Sequence, residues 1–352
     1  MRKLDRYIVK TVAGAMALVL VVVLSLDLLF GYIAELDDTK GDYQALAALW
    51  YIIMTLPRRI YDYLPLAAFM GCLVGMGALA SSSELVVIRA AGVSLKRIIW
   101  AAMKPALVLV VAGILLGEYV APYFERLAQS DKVMAQSGSV NVAAADGFWH
   151  REEDSFMHFN AVQTDGSLVG ISLFRYDGQW LEEAIHARRG TYHGDHWVLH
   201  DVVRTRLTPE ETQRDEEARY RWETDLTPEV LSVLIVKPDN LSISGLYTYG
   251  SYLNSQDLNA DQYWMSFWKK VLQPVATSVL VLVAISFVFG PLRSVTMGFR
   301  VFTGIVVGLL FKYMQDLLGP MSTVFGFDPI LATLTPIMIS AILGAFLIRR
   351  AG

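Results

Sequence analysis

The chain has 352 residues, of which 54% are hydrophobic and only 18% are charged, with a mean hydropathy of +0.40. Soluble domains average about 45–50% apolar and about 25% charged residues, so this composition excludes an ordinary soluble enzyme and a disordered chain. A single cysteine excludes an internal disulfide framework. The apolar residues cluster in runs of about 20, which predicts an integral membrane protein with helical spans.

The first half of the chain predicts three spans. The first, over 11–34, follows a basic leader and is longer than the apolar core of about 7–15 residues in a signal peptide, so we interpret it as an uncleaved helix. The second and third are predicted over 64–80 and 105–120. Four aromatic residues ahead of the second span suggest an interfacial helix: Trp50, Tyr51, Tyr61 and Tyr63.

Residues 125–262 differ sharply from the spans, because they hold 23 of the acidic residues, 12 basic residues and all six histidines. Short segments that alternate or are rich in β-branched and aromatic residues are separated by turn signals, which predicts an all-β domain of the sandwich or jelly-roll type. The stretch 209–219 is interpreted as a solvated connector. The acidic pair at 182–183 is expected to face solvent.

Three more spans are predicted over 271–289, 301–318 and 330–348. The predicted fold is therefore an α-helical membrane protein of six transmembrane helices with an all-β, jelly-roll-like domain inserted between helices 3 and 4. The domains are 1–124, 125–262 and 263–352. The segments that would share the side of the N-terminus hold twelve basic and two acidic residues, so the positive-inside rule predicts cytoplasmic termini and an inserted domain on the opposite side.

The motifs of several catalytic classes are absent from the sequence. There is no G-x-x-x-x-G-K-[ST] phosphate loop, so we expect no ATPase activity and no bound nucleotide in this chain. No nucleophile elbow is present, and no catalytic residue is predicted. His193, His196 and His200 are interpreted as surface residues of a strand rather than metal ligands, so no metal site is expected.

Among the ionisable residues within or near predicted spans, three are candidates for a role: Asp27, Lys312 and Asp316. Such groups are costly in a membrane and usually face the bundle interior or a cavity. They are compatible with an ion relay, with contact to a polar headgroup, or with a structural pair of Lys312 and Asp316 at positions i and i+4. Basic residues near the outer end of the bundle either bind lipid phosphates or anchor helices at the interface: Lys40, Arg58, Arg59 and Lys132.

The loop after the second span predicts a short amphipathic helix over about 83–92. Serines precede its apolar positions, Glu84 lies in its first turn, and Gly92 is placed to end it. Such a helix either lies on the membrane or docks a cytoplasmic partner. Elsewhere, three G-x-x-x-G pairs at 71/75, 113/117 and 304/308 favour close helix packing within the bundle over a subunit seam.

Four motifs together resemble the LptF/LptG family of lipopolysaccharide export permeases. They are LDRYI at 4–8, SELVV at 83–87 with AG at 91–92, LSISGL at 241–246, and FGPLRS at 289–294. The resemblance covers the whole chain. It implies a subunit of an ABC transporter in the inner membrane of a Gram-negative bacterium, with the β-jelly roll in the periplasm.

The resemblance also implies the partners. They are a second permease, LptF, in a heterodimer; two copies of the ATPase LptB, which hold ATP and magnesium; LptC; and the periplasmic bridge protein LptA. The implied substrate is lipopolysaccharide in the outer leaflet of the inner membrane.

The resemblance further assigns residues. The helix that contacts the ATPase would comprise Glu84, Leu85, Val86, Val87, Arg89, Ala91 and Gly92, and lipid phosphates would be bound by Lys40, Arg58, Arg59 and Lys132. Two alternatives remain open at this point. One is a mechanotransmission subunit that moves no lipid; the other is a proton-coupled secondary transporter that uses Asp27, Lys312 and Asp316.

Overall fold

A computed structural model describes most of the chain, namely residues 2–39, 43–137, 148–152, 155–162, 166–208, 211–224, 226–228, 231, 238–255, 259–289 and 295–351. Lys40 and most of the motif at 289–294 lie outside these residues. The described residues contain six helices that are long and apolar enough to cross a membrane, with one antiparallel sheet inserted after the third.

Every predicted span is confirmed as a helix, and each helix is longer than its apolar run. The long helices are α1 (Arg2–Leu36), α3 (Leu56–Ser81), α5 (Leu95–Leu115), α8 (Asp261–Phe289), α9 (Met297–Phe325) and α10 (Pro329–Ala351). A π-helical turn, Leu116–Val120, joins α5 to α6 (Ala121–Ser137). The shorter helices are α2 (Ala45–Met54), α4 (Glu84–Ala90) and α7 (Ile243–Ser255).

The predicted interfacial helix is only partly right. Trp50 and Tyr51 lie in α2, but Tyr61 and Tyr63 belong to α3. The chain begins α3 at Leu56 with Pro57 in its first turn, where the missing proline N–H costs nothing. The second long helix therefore starts well before its apolar run, and its first turns carry polar residues.

Helices α3 and α8 form the centre of the bundle, with α1, α5 and α9 packed on α3 and α10 packed on α8. Glycines permit the closest approaches. A Cβ on Gly71 would lie 2.3 Å from the backbone of Met16, and a Cβ on Gly304 would lie 2.7 Å from Leu73. All three predicted glycine pairs pack within this bundle, as predicted.

Two long helices are buried far less than the others. In the most apolar stretch of α1 and of α9, only 11% of the residues are buried, compared with 67% in α3. Large apolar side chains such as Phe30 and Phe302 are therefore exposed along the whole length of these two helices. Faces of this kind are stable only against lipid or against another apolar helix.

The inserted domain is all-β, as predicted, and the described residues form one six-stranded antiparallel sheet. Its strands are β1 (Phe148–Glu152), β2 (Ser155–Val162), β3 (Leu168–Asp177), β4 (Trp180–Tyr192), β5 (Trp197–Leu207) and β6 (Thr212–Trp222). They pair in chain order as a meander. One face packs on α7 through Trp197, Leu199 and Leu246. A jelly roll interleaves two Greek keys, so that finer description stays a prediction.

Two details of the predicted domain are wrong. The stretch at 209–219 is not a connector, because most of it lies in β6, whose charged side chains suit an exposed edge strand. The acidic pair at 182–183 does not face solvent as a unit, because successive strand residues point to opposite faces. Glu182 is exposed, whereas Glu183 is buried and pairs with Arg204 and Arg175.

Candidate functional site: a charged groove and an exposed short helix

A groove with a cavity volume of about 400 Å³ lies between α3, α8 and α9, at the end of the bundle nearest the sheet. Along the deeper turns of these helices its walls are apolar, and they include Leu66, Phe69, Leu280 and Phe311. The turns nearest the sheet carry the charged residues Arg58, Arg59, Asp62, Lys269, Lys270, Lys312 and Asp316. The groove thus combines a charged mouth with an apolar interior, and its volume lies within the range of pockets that bind small molecules.

Asp27 is the acceptor in an ion pair that ties α1 to α3. The guanidinium of Arg59 donates to Asp27 Oδ2 at 2.5 Å, and the hydroxyl of Tyr63 donates to Oδ1 at 2.7 Å. Arg59 Nε also donates to the Thr55 hydroxyl at 3.2 Å. Both charges are therefore compensated within the chain, which disfavours Asp27 as a free proton carrier.

Arg58 stands between two carboxylates. Its NH1 lies 3.5 Å from Glu125 Oε1, and its Nε lies 3.4 Å from Asp62. Glu125 is fully buried and also accepts from Asn240 at 3.0 Å. Arg58 thereby joins α3 to α6 and, through Glu125, to the segment that returns from the sheet.

Lys132 on α6 is surrounded by residues of α1, α2 and the loop that joins them. Its ammonium contacts the carboxylate of Glu35 and lies 3.0 Å from Asp38. The rings of Tyr43 and Tyr51 lie 5.6 and 5.1 Å from the same ammonium. Two anions and two ring faces thus surround one cation, which holds the helices together at this end.

Three lysines at the groove mouth have different environments. Lys269 and Lys312 are exposed, and their ammonium groups lie 3.7 and 3.3 Å from the two oxygens of Asp316. Lys270 is buried, donates to the Leu241 carbonyl at 2.5 Å and lies 5.2 Å from the centre of the Tyr61 ring. Lys269, Lys312 and Asp316 together carry a net charge of +1 at an accessible position.

At the opposite end of the bundle, the predicted short helix is confirmed as α4. Leu85 and Ile88 are buried in the bundle core, whereas Val86 and Val87 are 52% and 67% exposed. Glu84, in the first turn, accepts from the Ser82 hydroxyl at 2.9 Å. An exposed pair of valines on a firmly anchored helix is suited to contact another protein.

The end of α4 has the geometry that the sequence predicted. Gly92 has a φ of +81°, its N–H donates to the Arg89 carbonyl, and the N–H of Val93 donates to the Ile88 carbonyl. This pair of bonds is the Schellman motif, in which glycine at the left-handed position ends a helix. The start differs, since Ser83 has a φ of +61° and its side chain caps no N–H.

Two polar contacts fix the helices around α4. Arg97 on α5 binds Asp5 on α1 through two hydrogen bonds, of 3.0 and 2.9 Å. Arg300, at the start of α9, is almost fully buried and donates to the Gly77 carbonyl and the Ser81 hydroxyl, both at 2.6 Å. The first contact joins α5 to α1, and the second joins α9 to α3, close to α4.

Comparison with known proteins decides the family. A model of the family described as Lipopolysaccharide export system permease LptF/LptG matches residues 6–350. The permease protein LptG of Escherichia coli K12 is 35% identical over 352 residues, which cover 99% of this chain and 98% of that protein. The corresponding protein of Haemophilus influenzae is 35% identical over 351 residues, with the same coverage. The chain belongs to the LptF/LptG permease family.

In this LptF/LptG permease, the structure brings some predicted site residues together and separates others. Arg58, Arg59 and Asp27 line the groove with Lys312 and Asp316, whereas Lys132 does not line it. Lys40 lies outside the described residues. The residues predicted to contact the ATPase lie at the far end, where Arg89, Ala91 and Gly92 are exposed together with the two valines.

Sequence analysis did not identify two acidic residues at the sheet end of this permease, or the segment at 240–244 that they contact. Glu118 and Glu125, on the continuous helix of α5 and α6, bind backbone and side-chain groups of residues 240–244. A carboxylate next to the apolar run at 105–117 could have been noticed in the sequence. Its partners lie more than 110 residues away, so no local pattern could have named them.

Proposed function

We propose that this chain is the transmembrane subunit through which lipopolysaccharide leaves the outer leaflet of the bacterial inner membrane. The groove carries this proposal, because its charged mouth and apolar interior match a lipid with an anionic headgroup and several acyl chains. We infer that the termini and α4 lie in the cytoplasm, and that the sheet lies in the periplasm. The chain would work with a paired LptF subunit and two LptB ATPase subunits, and would deliver lipid to LptC and the LptA bridge.

Lipid phosphates would be bound at the mouth of the groove. Charge-assisted hydrogen bonds from exposed lysines are suited to this role. Of the cations that line the groove, Arg59 is compensated by Asp27, and Lys270 is bound to a carbonyl group. Lys269 and Lys312 are accessible and share one carboxylate, so we propose them as the main phosphate ligands, with Arg58 beside them. Lys132 is a weaker candidate, because it does not line the groove and its ammonium has two carboxylate partners.

The energy for extraction would come from an ATPase partner. Each methylene group taken out of hydrocarbon surroundings into water costs about 0.8 kcal/mol, so a lipid with several acyl chains does not leave the bilayer unaided. LptB would bind ATP with magnesium. Hydrolysis would move the LptB subunits, and α4 would transmit that movement to the bundle. The exposed residues Val86 and Val87 would dock on the ATPase.

The helix α3 provides the mechanical link between the two ends. It runs from Arg58 at the groove mouth to Ser81 beside α4, a distance of about 35 Å at 1.5 Å per residue. Leu85 and Ile88 fasten α4 to the same core. A push on α4 would therefore tilt or shift α3, which forms one wall of the groove, and so change its width.

The unburied faces of α1 and α9 are the proposed sites for the LptF subunit and for entering lipid. Both helices lie at the periphery of the bundle and expose apolar residues along their length. A second six-helix bundle set against them would enclose a wider, lipid-filled cavity between the two subunits.

The proposal is tested by photo-crosslinking in membranes that contain lipopolysaccharide and phospholipid. A photoreactive residue at Leu309, which lines the groove, should capture lipopolysaccharide. The same residue at Ile342, an exposed position on α10, should capture phospholipid. Equal labelling of the two lipids at both positions would contradict the proposal and favour a subunit that only transmits mechanical force.

A further inference from the structure

The segment that returns from the sheet to the bundle is bound by polar contacts to two transmembrane elements. We name residues 238–244 the return strap; it comprises the 3₁₀ turn Pro238–Asn240 and the start of α7. Asp239 and Asn240 line the groove, so the strap lies at the groove mouth. Beyond it, α7 packs into the core of the sheet domain through Leu246, Tyr249 and Leu253.

Glu118 holds the start of α7. Its two carboxylate oxygens accept from the N–H of Ile243 at 2.8 Å, from the N–H of Ser244 at 3.2 Å and from the Ser244 hydroxyl at 2.6 Å. These N–H groups lack partners within α7, because they lie in its first turn, and the helix dipole also favours an anion there. A carboxylate from a distant helix thus adds to the local cap, in which the Ser242 hydroxyl accepts from the N–H of Gly245 at 3.0 Å.

The π-helical turn Leu116–Val120 brings Glu118 to this position. A π turn adds one residue to a helix and rotates the following side chains, and such turns are frequent at functional sites. Gly117, in the same turn, faces Tyr61 so closely that a Cβ would lie 2.5 Å from the ring. The turn therefore packs tightly on α3 while its carboxylate reaches the strap.

The helix α8 holds the other part of the strap. Lys270 is 7% exposed and donates to the Leu241 carbonyl at 2.5 Å, and the Ser266 hydroxyl donates to Asp239 at 2.8 Å. Asn240 donates to the buried Glu125 at 3.0 Å. The strap is consequently fastened on one side to the α5–α6 helix and on the other side to α8, one of the groove walls.

We propose that Glu118 and Lys270 are positioning residues that hold the return strap at the groove mouth and so control the passage of lipid out of the groove. This inference rests on the proposed function. Any relative movement of α8 and the α5–α6 helix strains contacts on one side of the strap. The strap, with α7, would transmit that movement to the sheet domain.

The test uses the full chain in the complete transporter, with three variants of graded severity. Ser244→Ala removes the hydroxyl that contacts Glu118 and Ser242, Glu118→Gln keeps one acceptor oxygen but removes the charge, and Glu118→Ala removes all three bonds to Glu118 while the Ser242 cap remains. Asp131→Asn is the matched control, because Asp131 is an exposed carboxylate on the same continuous helix. Thermal unfolding of each variant shows that the bundle is intact.

Two readouts separate positioning from a purely structural role. The first is the crosslink from Leu309 to lipopolysaccharide, and the second is lipopolysaccharide transferred to the periplasmic acceptor protein after ATP is added. In Glu118→Ala we expect an unchanged groove crosslink before ATP and a transfer rate lowered at least about tenfold, because three hydrogen bonds that hold the return strap are lost. Glu118→Gln and Ser244→Ala should fall between this variant and the unsubstituted chain.

A spin-label distance between Tyr247 on α7 and Leu46 on α2, both exposed, reports the strap position directly. It should broaden in Glu118→Ala and Lys270→Met but not in Asp131→Asn. Normal transfer in Glu118→Ala, or an unchanged distance distribution in that variant, would overturn the inference. Absence of the Leu309 crosslink in the unsubstituted chain would instead refute the proposed function, so the two failures are distinguishable.

Discussion

The helix α4, at one end of the bundle, and the charged network at the sheet end are built in different ways. At the end that carries α4, the exposed helix and its caps come from one contiguous stretch, with the Schellman bonds joining Ile88 and Arg89 to Val93 and Gly92. At the sheet end, partners come from far apart in the sequence. Arg59 is 32 residues from Asp27, and Ile243 is 125 residues from Glu118.

This difference separates two kinds of role. A contiguous helix with two exposed valines can be displaced as one body, which suits contact with a partner that moves. A network of long-range ion pairs and capping bonds resists local change and transmits displacement between elements. Substitutions in this network at the sheet end should therefore affect the whole bundle or domain, whereas substitutions within α4 itself should act locally.

The largest expected effect is at the pair of Arg59 and Asp27. Their side chains are 17% and 22% exposed, and removing one partner of a poorly hydrated ion pair costs about 3–5 kcal/mol. Arg59→Ala and Asp27→Ala should each lower the Tm of the detergent-solubilised chain strongly. The double variant should be less destabilised than the sum of the two, and simple additivity would show that the pair does not interact.

A smaller loss is expected at Glu183 in the sheet. This buried carboxylate contacts Arg204 and lies 3.2 Å from Arg175, so Glu183→Gln should lower the free energy of unfolding by about 2–3 kcal/mol. The neighbouring Glu182→Gln provides the control, since that side chain is exposed and should change it by less than about 0.5 kcal/mol. Chemical unfolding followed by tryptophan fluorescence measures both; equal effects would contradict the assigned burial.

At the α4 end we expect a modest and local effect from Gly92→Ala. The φ of +81° is strained for any residue with a Cβ, at a cost of about 1–2 kcal/mol, although nothing lies within 4 Å of the added atom. Hydrogen exchange should accelerate in α4 and stay unchanged in α3. Gly14→Ala, in the interior of α1 with equally open space, should instead be neutral or stabilising.

The smallest effect concerns pH and the sheet domain. His150 is buried, with the Tyr252 hydroxyl 3.3 Å from its Nε2, and burial lowers the pKa of His150 from its ordinary value of 6.5. As pH falls through 6.5, His150 therefore binds a proton in the unfolded chain before it does so in the folded chain. The stability of the folded chain declines below that pH. The Tm should fall by a few degrees between pH 7.5 and 5.5.

His150→Gln should flatten this decline, because the substituted residue does not titrate. Thermal unfolding of the full chain at several pH values measures the slope for both proteins. A variant whose slope equals that of the unsubstituted chain would show that another group is responsible, with His158 as the next candidate, since burial also lowers its pKa.

The sequence predicted the features that depend on local patterns. The six helices follow from apolar runs, α4 from its serines and glycine, and β1 to β5 from alternation and turn signals. Most of strand β6 was assigned to a connector, and a sixth strand was predicted only from residue 219, because an edge strand rich in charges has no apolar alternation. Among the site residues, Arg58 and Arg59 were identified, but their carboxylate partners depend on how helices pack. The strap contacts of Glu118 and Lys270 were unpredictable for the same reason.

The central claim is that α4 and the groove are coupled through α3. The most direct test follows the Leu309 crosslink to lipopolysaccharide in the complete transporter, before and after ATP, in the unsubstituted chain, in Glu84→Arg and in the conservative control Glu84→Gln. We predict that ATP depletes the crosslink in the unsubstituted chain and in Glu84→Gln, while Glu84→Arg loses ATPase binding and retains the crosslink. Equal depletion in all three proteins would contradict the claim.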